Sequence, residues 1–170
     1  MKIRKATKQD APQIAKVHVD SWRTTYKGIV ADSFLDRMSY DNRTKRWEHI
    51  ASAQSVFVAE NNDGRVVGFA NGGKEREGNY PGYAGELYAI YIFKEYQGTG
   101  IGRKLVEAVV DDLLHDGFTS MLVWVLEDND SKHFYEKMGG KKLGYQELEI
   151  DSEKHKEIAY GWEDIRSISR

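Results

Sequence analysis

The sequence contains no cysteine, only two prolines, no long apolar run and no excess of basic residues. Without cysteine, the chain has neither disulfides nor thiolate metal sites. Its 25 Lys and Arg residues are balanced by 27 Asp and Glu residues, and a net charge of −2 gives no electrostatic basis for binding nucleic acid. No segment reaches the roughly 18 to 20 apolar residues of a membrane-spanning helix. We therefore expect a cytoplasmic protein that binds neither nucleic acid nor membrane.

Length and composition predict one globular domain over residues 1–170. Apolar residues make up 40% of the chain and charged residues 31%, which is typical of a protein with a buried core and a polar surface. The sequence has no internal repeat, low-complexity tract or linker. The five histidines are scattered and show no HxH or HExxH spacing, so we predict no metal site.

Hydrophobic periodicity predicts a mixed α/β fold. Apolar and aromatic residues spaced four apart between Ile14 and Tyr26 indicate one face of a first helix. Two β-rich runs on either side of Asn61–Gly64 predict a hairpin. A continuous apolar run over 121–126 predicts a buried strand. The predicted element order is βααβββαβαββ, with about seven strands in a mixed sheet and about four flanking helices.

Three glycines at alternate positions, Gly98, Gly100 and Gly102, lie between a predicted strand and a predicted helix. Neither nucleotide-binding motif fits, because the dinucleotide fingerprint and the Walker A loop both need a glycine where Arg103 stands. A helix N-terminus carries unpaired N–H groups and partial positive charge, so it can bind an anion that glycines allow to approach closely. The spacing alone leaves two interpretations open, a tight strand-to-helix turn and an anion site.

A larger pattern surrounds these glycines. The spacing Q-x-x-G-x-G at residues 97–102, after an aromatic-rich strand, resembles motif A of the GNAT N-acetyltransferase superfamily, [RQ]-x-x-G-x-[GA]. Downstream, Asn129 and the run Phe134–Gly139 look like the family's N-x-x-x-x-F-Y-x-x-x-G segment. The predicted element order is similar to the family fold across nearly the whole chain. Gly140 departs from the pattern, since many relatives have Phe there, and we expect this to affect packing and not chemistry.

The resemblance implies acetyl-CoA as the donor of an acetyl group, with no metal. It implies that the pyrophosphate is bound by the loop and the first helical turn, namely by Gln97, Gly98, Thr99, Gly100, Ile101, Gly102 and Arg103. Gly100 and Gly102 are expected to let the pyrophosphate approach the backbone, and Gly98 only to ease the turn.

The resemblance also assigns a role to the strand before the loop. This strand is expected to separate from its neighbour at a bulge and to pair with the pantetheine arm through Ile90, Tyr91 and Ile92. Within it, the N–H of Ile90 would face the thioester carbonyl and stabilise the negative charge that develops there.

Direct attack of an amine on a thioester, the reaction that the resemblance implies, benefits from a general base and a general acid. Glu86 matches the position at which several relatives carry a glutamate base, and its alternatives are a solvent-exposed carboxylate and an ion pair. Tyr135 matches the tyrosine that lies near the CoA sulfur and serves as general acid, and its alternative is an aromatic that packs on the sheet. Asn129 is expected to cap the last helix and to contact the pantetheine amides.

The acceptor pocket is predicted from the family arrangement of the first helices and the strand of Glu86. Trp22, Tyr26 and Tyr88 are expected to line it. Trp47 is expected in the core, and His18, which shares a helix face with Trp22, is expected in helix packing.

The acceptor is expected to be a primary amine of a small molecule, peptide or protein. Glu75 and Glu77 could join Glu86 in an acidic pocket that favours a cation. Residues 72–85 contain five glycines and one proline, which predicts either a loop that folds over the acceptor or a frayed strand end. One alternative function is an acyl-CoA sensor without catalysis, against which the presence of Glu86 and Tyr135 argues, and a second is the transfer of a longer acyl group. Family members are often dimers, which makes a homodimer through the last strands a further expectation.

Overall fold

The computed structural model describes residues 1–168, in which seven strands and five helices form a layered α/β structure. The strands are β1 (Lys2–Lys5), β2 (Val56–Glu60), β3 (Val66–Lys74), β4 (Gly85–Ile92), β5 (Met121–Leu126), β6 (Lys141–Ile150) and β7 (Glu153–Trp162). The helices are α1 (Ala11–Thr25), α2 (Asp32–Arg37), α3 (Tyr40–Ala53), α4 (Ile101–His115) and α5 (Lys132–Lys137). Within the described part of the chain, no helix is long and apolar enough to cross a membrane.

All seven strands belong to one sheet in the order β1-β2-β3-β4-β5-β7-β6. Neighbours are antiparallel except β4 and β5, so the predicted mixed sheet is confirmed. The short helix α2 raises the number of helices between β1 and β2 to three, one more than the predicted order has. β6 forms one edge and exposes Tyr145, and the predicted dimer contact through the last strands stays a prediction.

Helices cover both faces of the sheet. α4 packs on one face, where Leu105, Val109 and Leu113 are buried. On the other face, Trp47 of α3 packs edge-on against Phe69 of β3, with ring centroids 4.8 Å apart. Trp47 is therefore a core residue, as the sequence predicts.

His18 of α1 completes this packing. Its Nδ1 accepts a hydrogen bond from the Trp47 indole N–H at 3.0 Å, and its ring stacks on Tyr91 with centroids 5.3 Å apart. Burial, together with the smaller effect of the nearby positive charges of Arg43 and Arg46, lowers the pKa of His18 to about 3. His18 is consequently a neutral packing residue at physiological pH.

The glycine-rich segment after residue 70 is more ordered than its composition suggests. β3 continues to Lys74, because glycines are needed for close packing at this point. A Cβ atom at Gly72 would lie 2.7 Å from the Val109 side chain, and one at Gly73 would lie 2.8 Å from the Tyr88 hydroxyl. These glycines thus serve sheet and helix contacts, and the prediction of a loop or frayed end from residue 72 was wrong for the first three residues.

The remaining loop, residues 75–84, folds back over the sheet. The Tyr80 ring lies 6.1 Å from the Trp124 ring, and Tyr83 occupies the space that a side chain at Gly161 would need. Gly161 pairs with Leu122 of β5, which in turn pairs with Glu86 of β4. Residues that pair directly across a sheet share a face, so the loop covers the face to which Glu86 points.

Candidate active site

The centre of the sheet contains an opening between β4 and β5. The two strands are paired only through Gly85–Leu87 and Met121–Val123, and beyond this point they separate. Gly85–Leu87 are buried, whereas residues 88–92 keep partial exposure although they belong to a central strand. A central strand would normally be buried on both sides, so the exposure marks a cleft, which the resemblance described above implies.

A β-bulge lies where the strands begin to separate. Asn71 and Gly72 of β3 pair with Ala89 and Leu87 of β4, which leaves Tyr88 as the extra residue. Such a bulge bends its strand and increases the local twist. The predicted bulge is therefore present, at Tyr88.

Past the bulge, the backbone of β4 presents hydrogen-bonding groups to the cleft. The Phe93 amide donates to the Val67 carbonyl at 3.0 Å, and the alternation of an antiparallel pair then directs Tyr91 to β3 and directs Ile90 and Ile92 to the opening. The Ile92 carbonyl accepts a hydrogen bond from Gln97 Nε2 at 3.1 Å and a longer one from Ser21 Oγ of α1 at 3.4 Å. Of the three strand residues predicted to bind pantetheine, Ile90 and Ile92 thus direct main-chain groups to the opening, where the Ile92 carbonyl is already occupied, and Tyr91 directs its own to β3.

The glycine loop leaves a row of free amides at the start of α4. Gly98 and Gly100 have φ angles of 75° and 87°, in the left-handed region, and Gly100 is the N-cap of α4. The Lys104 amide donates to the Gly100 carbonyl at 3.3 Å, so within residues 1–168 the amides from Gly98 to Arg103 have no main-chain partner. Gln97 differs from the prediction, because its amide donates to the Lys94 carbonyl at 3.2 Å.

The third glycine serves a different purpose. A Cβ atom at Gly102 would lie 3.3 Å from the Phe134 ring and 3.5 Å from Ile92. Gly102 therefore allows α4 to pack closely against α5, whereas the positive φ angles at Gly98 and Gly100 shape the loop itself. The expected division, in which Gly98 alone eases the turn, is thus too simple.

Gly98 and Gly100 form a matched pair for testing the loop. Replacement of either by Val forces a β-branched side chain into the left-handed region and should destabilise the fold by about 1 to 2 kcal/mol. We expect Gly100→Val to weaken CoA binding far more than Gly98→Val does, by at least about tenfold, because Gly100 caps α4 and adjoins its free amides. Calorimetric titration with CoA, alongside thermal unfolding, separates the two effects. Equal losses of affinity would contradict this assignment.

Glu86 lies on β4 just before the strands separate, on the face that the 75–84 loop covers, and is only 2% exposed. Its Oε1 accepts hydrogen bonds from the Arg76 amide at 3.1 Å and from Arg76 Nε at 3.3 Å, and its Oε2 accepts one from Arg76 Nη2 at 2.7 Å. The Arg76 guanidinium also lies over the Tyr88 ring, 4.3 Å from its centroid. Burial excludes the solvent-exposed alternative for Glu86, and the Arg76 partner, ten residues away in the loop, was not predicted.

Tyr135 is 5% exposed and lies in an aromatic cluster on α5. Its ring centroid is 5.4 Å from that of Phe134, 6.4 Å from that of Tyr160 and 6.3 Å from that of Trp162. Among the described residues, none hydrogen-bonds to its hydroxyl. Burial raises the pKa of Tyr135, so the phenol is neutral at physiological pH.

The departure at Gly140 is a matter of packing, as predicted. A Cβ atom at Gly140 would lie 2.8 Å from the Trp162 ring and 2.9 Å from the Tyr135 carbonyl. Trp162 thus fills the space beside α5, and its indole N–H donates to the Met138 carbonyl at 3.0 Å.

Asn129 connects the end of β5 to α1. Its Nδ2 donates to the Tyr26 hydroxyl at 3.2 Å, and its Oδ1 accepts from the Ser131 amide at 2.9 Å. The N-cap of α5 is Ser131, so the prediction that Asn129 caps the helix was wrong. The chain first forms a tight turn at Asn129, which uses the same side-chain oxygen that a cap would need.

The predicted acceptor residues lie in two groups. Trp22 and Tyr26 pack together, with ring centroids 4.5 Å apart, and Tyr26 is 5% exposed. Tyr88 lies apart from them, at the bulge beneath Arg76.

The face of the sheet that carries Glu86 also carries other glutamates, but they are not all the predicted ones. Glu75 accepts hydrogen bonds from amides of its own loop, whereas Glu157 of β7, which was not predicted, shares the face of Glu86. Gln146 Nε2 donates to Glu157 Oε1 at 2.6 Å. Burial raises the pKa of Glu157, and the charges of Glu77 and Glu86 raise it further. No group of three or more potential ligands that could hold a metal ion occurs within residues 1–168.

Comparisons with known proteins agree with this geometry. Residues 15–140 match the profile of the acetyltransferase (GNAT) family. The chain is 41% identical over 166 residues to the uncharacterized N-acetyltransferase YuaI of Bacillus subtilis strain 168, covering 98% of this chain and 95% of that protein. It is 30% identical over 142 residues to the L-amino acid N-acyltransferase MnaT of Escherichia coli K12, covering 82% and 78% of the two chains.

Two solved structures share the fold. The ribosomal-protein-alanine N-acetyltransferase of Brucella melitensis superposes with a TM-score of 0.74 at 21% identity, covering 95% of this chain and 99% of that chain. YncA of Salmonella typhimurium, solved with its cofactor acetyl-CoA, superposes with a TM-score of 0.71 at 23% identity, covering 95% and 92%. At these identities the likeness speaks to the fold alone.

Proposed function

Since the chain belongs to the acetyltransferase (GNAT) family, and is accordingly an acyltransferase that uses acetyl-CoA, we propose that it acetylates a primary amine by direct attack on the thioester. The observation that carries the proposal is the cleft between β4 and β5, which opens beside both Glu86 and the free amides of α4. An amine and a thioester that meet in such a cleft are held in line, which supplies much of the acceleration.

The residues around the cleft fit the donor. The amides from Gly98 to Arg103 would hold the pyrophosphate, because they lack main-chain partners and lie at the positive end of a helix. The backbones of Ile90 and Ile92 would hold the pantetheine arm as a neighbouring strand would. When bound, acetyl-CoA supplies the acetyl group as an activated thioester.

Tyr135 is proposed as the general acid. Its hydroxyl is free of protein hydrogen bonds, and burial keeps it in the neutral form that donates to a departing sulfur. The same burial disfavours the phenoxide, so the main contribution is a hydrogen bond to the developing thiolate, with the proton shared between oxygen and sulfur.

Glu86 is proposed as the general base. A carboxylate has about four acceptor positions, and Arg76 fills both positions of Oε1 but only one of Oε2. The remaining position of Oε2 can take a proton from the acceptor amine, directly or through a water, while Arg76 keeps the buried charge compensated.

A small basic amine is the best-supported acceptor class. Glu77, Glu86 and Arg76 all lie close enough to Glu157 to influence its pKa, and Arg76 pairs with Glu86, so these four groups together carry an excess of negative charge. The relative MnaT is named as an L-amino acid N-acyltransferase, which places basic amino acids beside diamines among the first candidates.

The test is turnover on a panel of amines. The protein is incubated with acetyl-CoA and each amine, and release of the free thiol is followed. We expect turnover with at least one small amine and better turnover with cationic than with acidic ones. Tight binding of acetyl-CoA without turnover on any amine would favour the sensor alternative and contradict the proposal.

A further inference from the structure

Asn71 of β3 carries a buried side-chain oxygen that has no hydrogen-bond partner among the described residues. The residue is 4% exposed, and its Oδ1 makes no hydrogen bond within residues 1–168. A buried polar group in this state is destabilising, and such exceptions in a folded protein require an explanation. The function assigned so far to the cleft does not use Asn71.

The neighbours of Asn71 cannot supply the missing hydrogen bond. It is paired with Val56 on one side and Ala89 on the other, and Phe69 and Gly73 flank it on its own face of β3. None of these four side chains carries a donor. The partner of Oδ1 must therefore come from outside the strand, as a water or as part of a bound molecule.

The strand register places Asn71 on the same face as Glu86, beside the proposed reaction centre. Gly73 pairs with Glu86, and Asn71 is two residues from Gly73, so Asn71 and Glu86 project from the same face. Diagonal neighbours of this kind lie about 7 to 8 Å apart. Ala89, the partner of Asn71, directly precedes Ile90, whose main chain is proposed to face the thioester.

Side chains whose backbones are this far apart can both extend an oxygen to a nitrogen placed between them, and this matches the chemistry of a primary amine. A neutral primary amine has two N–H bonds and one lone pair, and only the lone pair attacks. If each N–H is held by an oxygen, the lone pair has one direction left. Oε2 of Glu86 and Oδ1 of Asn71 are two such oxygens, each with an unused acceptor position.

We propose that Asn71 contacts the acceptor directly, and that its Oδ1 accepts a hydrogen bond from the attacking amine and so aims the nitrogen lone pair at the thioester. This inference rests on the proposed acetylation of an amine. It adds a second contact to the nitrogen besides Glu86, on a strand that the sequence marks only as rich in glycine.

The test compares Asn71→Leu with Asn71→Asp. Leu has a similar shape and no polar atom, so it removes the unpaired group, and we expect the melting temperature to stay unchanged or to rise. Its turnover with the best amine should fall by about 10- to 100-fold, as happens when one hydrogen bond to a reacting group is lost. CoA affinity should not change. Asp keeps an oxygen at the same place and should retain more turnover than Leu.

Gln13→Leu is the matched control. Its Oε1 accepts a hydrogen bond from the Val66 amide at 2.9 Å, outside the cleft, so its loss should lower the melting temperature and leave turnover intact. Undiminished turnover in Asn71→Leu, or equal turnover in the Leu and Asp variants, would overturn the inference. So would a fall in the melting temperature of Asn71→Leu, which would indicate a structural water. Failure of the wild type to acetylate any amine would instead overturn the proposed function, and this inference with it.

Discussion

Replacement of Tyr135 by Phe is expected to lower kcat by about 10²- to 10⁴-fold, the usual loss when one general acid is removed. The substitution deletes only the hydroxyl, because the ring contacts with Phe134, Tyr160 and Trp162 do not involve it. The affinity for CoA and the melting temperature should therefore stay close to those of the wild type. Single-turnover measurements of thiol release, with CoA binding measured separately, locate the loss in the chemical step.

Tyr160→Phe is the matched control for this experiment. Tyr160 belongs to the same aromatic cluster, but its hydroxyl donates to Glu136 Oε2 at 3.2 Å and does not take part in the proposed chemistry. Its removal should leave kcat within a fewfold of the wild type. If both Phe variants lost activity equally, the defect would lie in packing, and if neither did, Tyr135 would have no part in the mechanism.

Glu86→Gln is expected to reduce turnover at neutral pH by a similar factor, about 10²- to 10⁴-fold. Gln keeps the shape of the side chain and one acceptor oxygen, but it cannot take a proton from the amine. The pH dependence distinguishes this from a structural defect. A free alkylamine has a pKa near 10, so at high pH the amine arrives neutral and needs no base.

The ratio of wild-type to variant kcat/KM should consequently shrink as the pH rises from 7 to 10. A ratio that stays constant over this range would mean that Glu86 serves only to anchor Arg76. Glu147→Gln is a suitable reference. Glu147 is exposed and lies in the β6–β7 strand pair, and its replacement by Gln removes the same charge as Glu86→Gln. The reference variant should follow the wild type at every pH.

Features set by local sequence could be predicted well. The start of α4 follows from a short stretch in which glycine spacing and hydrophobic pattern agree, whereas the cleft and the bulge were expected only from the resemblance to the family. A helix start after a turn depends on residues within a few positions of each other, and such patterns are visible in one sequence.

The remainder of the site depends on contacts that are distant in sequence or on the exact register. Arg76 reaches Glu86 only because the loop folds over the sheet, and a composition rich in glycine did not distinguish such a fold from a frayed strand end. Asn71 and Glu157 face the cleft because of the strand register, and a slip by one residue would turn each to the other face. Asn129 shows a third limit, since the same side chain can form a turn or a cap and the sequence does not choose between them.

The open edge of β4 has a consequence for how such a protein diverges. It recognises its donor through main-chain groups, and every residue except proline carries the same N–H and C=O. Mutation can exchange the side chains of Ile90 and Ile92 with little effect on that recognition, provided that the strand and its bulge persist. The side chains on the acceptor face contact the substrate directly, so exchanging them changes which acceptor is bound. Descendants of one ancestor can therefore keep a common donor while their acceptors drift apart.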